Sequence, residues 1–304
     1  MLTIVILCRR NCGLSNCISV YMLGMAVADL LIMINYVLLY HIISYNFPLS
    51  FLAYTSICKL LLYLAPVTID LSVWFTVSFT FDRCVMICCQ KIQARYCIKR
   101  TAVLVITSLF VMIMVKNIPT LFAYEHQRVI NKVQWGCQTR VAFFSSPPGA
   151  AFAWFHTAWV VWLPFTLIAL FNSMTIKHVL IGSRARSSLR GSRGENHRDP
   201  EMENRKKSIV LLFAVSGCFL LLWLTAFVSF ASTGLINSTY YRGDRTSPGY
   251  IATETGTMLK FLSSCPNTFI YAATQRKFRE ELKKVLKSPC LLILRIFQNR
   301  KNAK

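Results

Sequence analysis

The sequence predicts an all-α membrane protein: a seven-transmembrane helix bundle with an incomplete first helix, followed by an amphipathic eighth helix. Three observations predict it. Hydrophobic residues make up 55% of the 304 and charged residues only 15%, against about 25% charged in ordinary soluble domains. Six apolar stretches reach the roughly 20 residues a helix needs to cross a hydrocarbon core about 30 Å thick. The 34 Lys and Arg are shared unevenly between segments that alternate along the chain. The aromatic content of 13% and mean hydropathy of +0.47 exclude a disordered chain. The 12 Cys are diluted in a long sequence and many fall inside apolar runs, unlike a disulfide-stapled secreted module.

The elements follow in order. Met1–Cys8 is apolar but too short to cross alone. It lacks the basic start and cleavage site of a signal peptide and reads as the last two turns of a helix whose beginning is missing. Cys17–Ile43 carries one charge, Asp29. Ser56–Phe81 carries Lys59 at its start and Asp70 inside; Ala102–Phe122 carries only Lys116. Ala151–Ile176 and Ser208–Leu235 carry none, and Thr253–Tyr271 carries Glu254 and Lys260. Residues 177–207 form a basic loop. The bundle thus occupies 1–274, and 275–304 form an amphipathic helix, basic over Arg276–Lys287, and a basic tail.

Arg9–Arg10, Arg83–Arg100, Lys177–Lys207 and Arg276–Lys304 hold 26 of the 34 basic residues. Such a bias in segments next to helix ends marks the cytoplasmic side. It places the C-terminus in the cytoplasm of a multi-pass plasma-membrane protein. It also accounts for most of the +22 net charge, so nucleic acid is not an expected partner. No internal repeat supports a transporter of duplicated halves.

Cys58 stands at the outer end of the third span, and Asp82-Arg83-Cys84 at its inner end. The 24 residues between them are about 36 Å of helix, one crossing. Cys137, in Trp135-Gly136-Cys137, is the other cysteine on the outer side. An oxidising exterior favours a Cys58–Cys137 disulfide that ties down the long outer loop, the alternative being two free thiols.

With these residues in place the chain resembles the rhodopsin-like (class A) G-protein-coupled receptors. Asp29 in Leu23-Gly24-Met25-Ala26-Val27-Ala28-Asp29-Leu30 looks like the family's second-helix acid. Asp82-Arg83-Cys84 looks like its Asp-Arg-Tyr triplet, and Pro164 in Trp162-Leu163-Pro164-Phe165 like its fifth-helix proline. Phe219 and Trp223 are spaced like its sixth-helix switch aromatics. Asn267-Thr268-Phe269-Ile270-Tyr271 resembles Asn-Pro-x-x-Tyr. Ser72-Val73-Trp74-Phe75-Thr76, Lys116-Asn117-Ile118-Pro119, Asp199-Pro200-Glu201-Met202-Glu203 and Lys277-Phe278-Arg279-Glu280 look closest to the orphan "probable G-protein-coupled receptor 139"-like group. The departures are Thr225 and Thr268 at the sixth- and seventh-helix proline positions, Cys84 for Tyr, Asn172 at the fifth-helix Tyr position, and no Trp in the fourth span.

The resemblance implies roles. Asp82, Arg83, Asn267 and Tyr271 would serve coupling to a heterotrimeric G protein, and Val73, Pro164, Phe219 and Trp223 an activation relay. Asp70, His156, Phe227, Phe230, Thr257 and Lys260 would line the cavity for an extracellular small-molecule or peptide ligand. Ala65 replaces the acid that anchors biogenic amines. Asp70 would hold a cationic ligand group or satisfy helix neighbours; Lys260 would pair with Asp70, bind an anionic group or snorkel. Asp29 with Ser72 and Asn267 would form a sodium site or an ion-free polar cluster. Arg205 falls where many members carry a locking acid, implying basal signalling. Asn237-Ser238-Thr239 is a glycosylation sequon, and Cys290 follows the basic amphipathic segment as a lipidation candidate.

No nucleophile–base set, metal-spaced His/Cys cluster or phosphate-cradling glycine loop suggests an enzyme. The rivals to a receptor are a truncated, nonfunctional receptor fragment and, further off, a transporter or channel.

Overall fold

The computed structural model describes residues 1–8, 16–44, 46–47, 50–89, 98–190, 200–236 and 248–287. The side chains of 16, 41, 183–190, 200–207, 229–236, 249–250 and 253 are outside that description. Asn237 and Cys290 lie outside the described residues, as do the side chains of Arg205 and Phe230.

The chain is a helical bundle. The first helix, Leu2–Cys8, packs on the second and reaches the seventh through Thr3 Oγ1 and Thr268 Oγ1, 2.6 Å apart. The second runs as α-helix over Asn16–Ile32 and as π-helix over Met33–Ser44. Hydropathy foresees the span but not the change of pitch, because both helix types bury every backbone polar group within the segment. The third helix, Thr55–Cys88, has 34 residues, about 51 Å. It is the central post: two-thirds of its most apolar window is buried, against 17% for the fourth helix. The fourth comprises Lys99–Lys116 and a 3-10 turn, Ile118–Phe122. The fifth is Pro147–Thr157, a π-turn at Ala158–Trp162, and Leu163–Arg190. The sixth is Pro200–Ile236. A final helix covers 276–287.

Among the described residues, five helices are long and apolar enough to cross a membrane. The seventh apolar stretch departs from the continuous span expected. It is helical over Pro248–Leu262, turns at residues 263–266, and resumes over Asn267–Thr274. The break has a local cause. Pro266 supplies no N–H and disfavours helical backbone at the residue before it. Ser264 N–H and Cys265 N–H instead donate three residues back, to Phe261 O (3.1 Å) and Leu262 O (3.0 Å). Ser263 Oγ donates to Lys260 O at 2.6 Å. The freed carbonyls therefore keep donors, as a helix break inside a membrane requires.

The segment between the fourth and fifth helices carries two antiparallel pairs. β1 (Tyr124–Glu125) pairs with β4 (Gln138–Thr139), and β2 (Arg128–Ile130) pairs with β3 (Val133–Trp135). Asn131 and Lys132 join β2 to β3 with φ of 50° and 64°, the two-residue mirror-image turn that suits strand twist. Cys58 and Cys137 are disulfide-bonded, with Cα atoms 6.1 Å apart, so the paired segment is fastened to the top of the third helix.

Ser146 then starts the fifth helix. Its Oγ accepts from Gly149 N–H at 3.3 Å, and Pro147 occupies a first-turn position where a missing N–H costs nothing. A Cβ on Gly149 would lie 1.9 Å from Phe143 O, whereas one on Gly217 in the sixth helix would meet nothing within 4 Å. The expected outcomes are opposite. Gly149→Ala lowers the thermal midpoint of the purified protein sharply, and Gly217→Ala holds or raises stability by up to about 1 kcal/mol.

Candidate functional site

Four levels of the bundle interior gather the polar groups. The level near the disulfide crosses the third, fourth and fifth helices. Asp70 is fully buried. Its Oδ2 takes an ion pair from Lys116 Nζ (2.6 Å) and a hydrogen bond from Asn117 Nδ2 (2.8 Å). Of the partners raised for Asp70 from the sequence, Lys260 is therefore not the one found; the fourth helix supplies the cation. Lys116 Nζ also lies 2.8 Å from His156 Nδ1. An ammonium only donates, so we assign the imidazole as the neutral tautomer with its proton on Nε2, leaving that N–H as a donor. Asp70 Oδ1 and Asn117 Oδ1 have no hydrogen-bond partner among the described residues. Buried acceptors of this kind are costly when dry and suit a bound water or ligand donor.

Below it, Trp223 Nε1 donates to Ser263 Oγ (3.0 Å) at the seventh-helix break, and Lys260 Nζ lies 5.9 Å from the centroid of the Trp223 ring. Phe219 stacks on Trp223 at 5.0 Å. Val73, Phe219 and Trp223 share one apolar cluster with Val77, Val160, Val161 and Ile168. Pro164 is buried one turn before Ile168. Phe227 stacks on Phe165 at 4.5 Å. Thr257 is half-buried, a turn before Lys260.

The middle level centres on Asp29. Ser72 Oγ donates to its Oδ1 (2.6 Å) and Asn267 Nδ2 to its Oδ2 (2.9 Å), so the second, third and seventh helices meet there. A cavity of about 10 Å³ adjoins, lined by Ser72, Thr76, Phe219, Ser263 and Asn267 among others. That is room for about one water-sized occupant. The carboxylate and the hydroxyl and amide oxygens are hard donors that fit a small monovalent cation.

The arginine level closes the bundle. Arg83 is 1% exposed and pairs with Asp82 through both Nε and Nη2. Asp82 Oδ1 also accepts the Cys17 thiol at 3.1 Å. Among the described residues, the link from Arg83 to the sixth helix is a long hydrogen bond from Nη1 to Ser208 Oγ, 3.4 Å. Nearby, Asn172 Nδ2 donates to Ser216 Oγ (2.8 Å), whose hydroxyl donates to Leu212 O (2.7 Å). This clasp between the fifth and sixth helices is wholly inside the protein. Tyr271 is fully buried, its ring edge-on to Phe278 at 5.9 Å. On the final helix Glu281 accepts from Lys284 Nζ (2.7 Å) and holds that ammonium above its ordinary value.

Reasoning from the sequence missed Lys116 as the partner of Asp70, Cys17, Ser208 and the Asn172–Ser216 clasp. A lone lysine in an apolar span was the available signal for the first. The others are small neutral polar groups that announce nothing by themselves.

Residues 1–271 match the family described as "7 transmembrane receptor (rhodopsin family)". The chain belongs to that family: it is a multi-pass membrane receptor of the kind that signals through G proteins, and not an enzyme. No curated protein matches it.

The Asp70–Lys116 pair gives a direct test. Lys116→Leu strands a buried carboxylate and should cost about 3–5 kcal/mol, while the Asp70→Leu/Lys116→Leu double variant should recover most of that loss. Thermal unfolding of the detergent-solubilised receptor reads both.

Proposed function

We propose that this receptor binds an extracellular ligand beside Asp70, His156, Phe227, Thr257 and Lys260, and that it responds by opening the arginine end to a heterotrimeric G protein. The C-terminus faces the cytoplasm in this reading, as the distribution of Lys and Arg favours. The observation that carries the proposal is the state of Arg83. A fork-shaped, permanently charged group is buried at the end of the central helix, paired to its neighbour Asp82 and, among the described residues, tied to the sixth helix by the long hydrogen bond to Ser208. Movement of that helix exposes the guanidinium to a helical partner. Asp82, Arg83, Asn267 and Tyr271 form the coupling end, and Val73, Pro164, Phe219 and Trp223 the relay between ligand and partner.

The charge around the cavity defines its ligand. Asp70 is already neutralised by Lys116, His156 presents an N–H, and Lys260 stands beside Trp223. Lys260 and the His156 N–H favour a small molecule or peptide end with a carboxylate or other acceptor, while Asp70 Oδ1 and Asn117 Oδ1, unpartnered among the described residues, favour a donor group beside it. An agonist must bind the open arrangement more tightly than the closed one, since equal affinity shifts nothing. Asp29, Ser72 and Asn267 would hold a sodium ion in the closed arrangement. Kinship with the orphan "probable G-protein-coupled receptor 139"-like group is the finer family placement we propose. It rests on the quoted motifs.

Among the described residues, the closed state is tied at the sixth helix by hydrogen bonds to hydroxyls, the Asn172–Ser216 clasp and the long Arg83–Ser208 bond. The neutral clasp contributes about 0.5–1.5 kcal/mol and the charge-assisted bond to Ser208 is stretched to 3.4 Å, so the receptor should signal at rest. Two variants should move guanine-nucleotide exchange in opposite directions in a reconstituted receptor–heterotrimer assay. Arg83→Ala should drop basal exchange to the receptor-free rate, and Asn172→Ala should raise it about two- to tenfold. Basal exchange that is unaffected by Arg83→Ala sinks the coupling role. A rise absent in Asn172→Ala, with surface expression matched, sinks the clasp.

A further inference from the structure

At the disulfide end of the bundle is a cavity of about 250 Å³ that activation, as described, does not use. It lies between the π-helical top of the second helix and the β2–β3 hairpin, and its floor is the Cys58–Cys137 disulfide. Tyr40 and Ser44 line one wall; Gln127 and Arg128 line the other.

The rim is built, not incidental. Gly136 has φ +70°, and a Cβ there would sit 2.8 Å from Gln127 Oε1. Glycine is thus what lets the Gln127 side chain lie at the cavity. Gly136 N–H donates to Ala53 O (2.7 Å), and its own carbonyl accepts from Thr55 Oγ1 (3.0 Å). The hairpin is thereby pinned to the third helix and the preceding turn by two hydrogen bonds and a disulfide. The Tyr40 ring stacks on Tyr36 at 5.7 Å, and Tyr36 stacks on Phe261 of the seventh helix at 4.7 Å. This aromatic column backs the cavity.

The chemistry is one-sided. The lining offers a guanidinium, an amide and two hydroxyls, with no carboxylate among the described lining residues. The third helix adds Lys59, and the outer segment adds Lys132 and Arg140. Its acid, Glu125, accepts from the Gln138 amide at 3.1 Å. Arginine presents paired N–H groups that match a carboxylate's two oxygens, and a flat apolar body can lie against Tyr40. The volume is below the roughly 300–1,000 Å³ usual for drug-sized ligands, so the occupant is compact.

We propose that this outer cavity is a second ligand site, separate from the one beside Trp223, and that it takes a compact aromatic carboxylate. The acid group pairs with Arg128, and the ring packs on Tyr40. An occupant there bridges the second helix to the hairpin and the third helix.

The test titrates the full receptor in nanodiscs with 3-phenylpropanoate and with its neutral amide, followed by saturation-transfer NMR. Saturable binding of the acid, at least tenfold tighter than of the amide, is expected. Arg128→Gln should erase that preference and Tyr40→Leu should weaken both probes, whereas Arg140→Gln, in the same segment but outside the cavity lining, should change neither. Arg128 is exposed, so its variant folds, and an unchanged thermal midpoint verifies this. Equal binding of acid and amide, or no saturable binding, overturns the proposal. So does an equal loss in Arg140→Gln, which would mean diffuse loop charge. Loss in Lys260→Met with retention in Arg128→Gln would assign the acid to the central cavity and overturn the outer site alone.

Discussion

Charge in a low-dielectric interior must be paired, and among the described residues the third helix carries more buried charge than any other element. Asp70, Asp82 and Arg83 are each at most 1% exposed. An isolated ion moved from water into such a site costs several kcal/mol even after relaxation. Each therefore dictates what surrounds it: Lys116 and Asn117 must come from the fourth helix to Asp70, while Asp82 holds Arg83 and itself takes the Cys17 thiol from the second helix. The position of the third helix, central and fastened at one end by the disulfide, follows from having to satisfy partners on several sides at once.

The same constraint shapes what the receptor can do. At the disulfide end the pairing is ionic and crosses helices, which makes that end rigid. At the arginine end the strong pairing is between adjacent residues, Asp82 and Arg83, and the ties to the sixth helix among the described residues are hydrogen bonds to hydroxyls: Ser208 to Arg83 and Ser216 to Asn172. A bundle held firmly at one end and lightly at the other pivots. Between them stand Asp29, bound by side chains of the third and seventh helices, and Trp223, hydrogen-bonded to the break in the seventh helix. Both sit where a tilt of the sixth or seventh helix changes their partners. The Gly256 backbone lets the two helices touch there, since a Cβ would lie 3.0 Å from Ala226 Cα.

Much of the architecture was legible because hydrocarbon enforces a simple code of apolar length, internal backbone hydrogen bonds and basic flanks. That code located the apolar spans and singled out Asp29 and Asp70 as buried acids. Compartment reasoning brought Cys58 and Cys137 together. What stayed hidden depends on geometry that no local pattern records. The Asp70 cation is 46 residues further along, and the sequence alone raises Lys260 as the partner instead. The π-helix over Met33–Ser44 has an apolar sequence that an α-helix would accept equally. The break before Asn267 was readable in principle from Pro266, but hydropathy averages over a proline. The hairpin was signalled by Asn131 at a two-residue turn inside a segment first read only as a long outer loop.

The central claim is that the sixth helix swings away from the third at the arginine end while the disulfide end holds. It is tested most directly by a distance. Spin labels go on Cys89, exposed just past the third helix, and on Val210→Cys, exposed on the sixth, with the other exposed cysteines replaced. Pulsed electron double resonance then reads their separation in nanodiscs. The account predicts two populations at rest, the longer one growing when a nucleotide-free heterotrimer binds. A single, unchanged distance in the presence of a bound heterotrimer would contradict it.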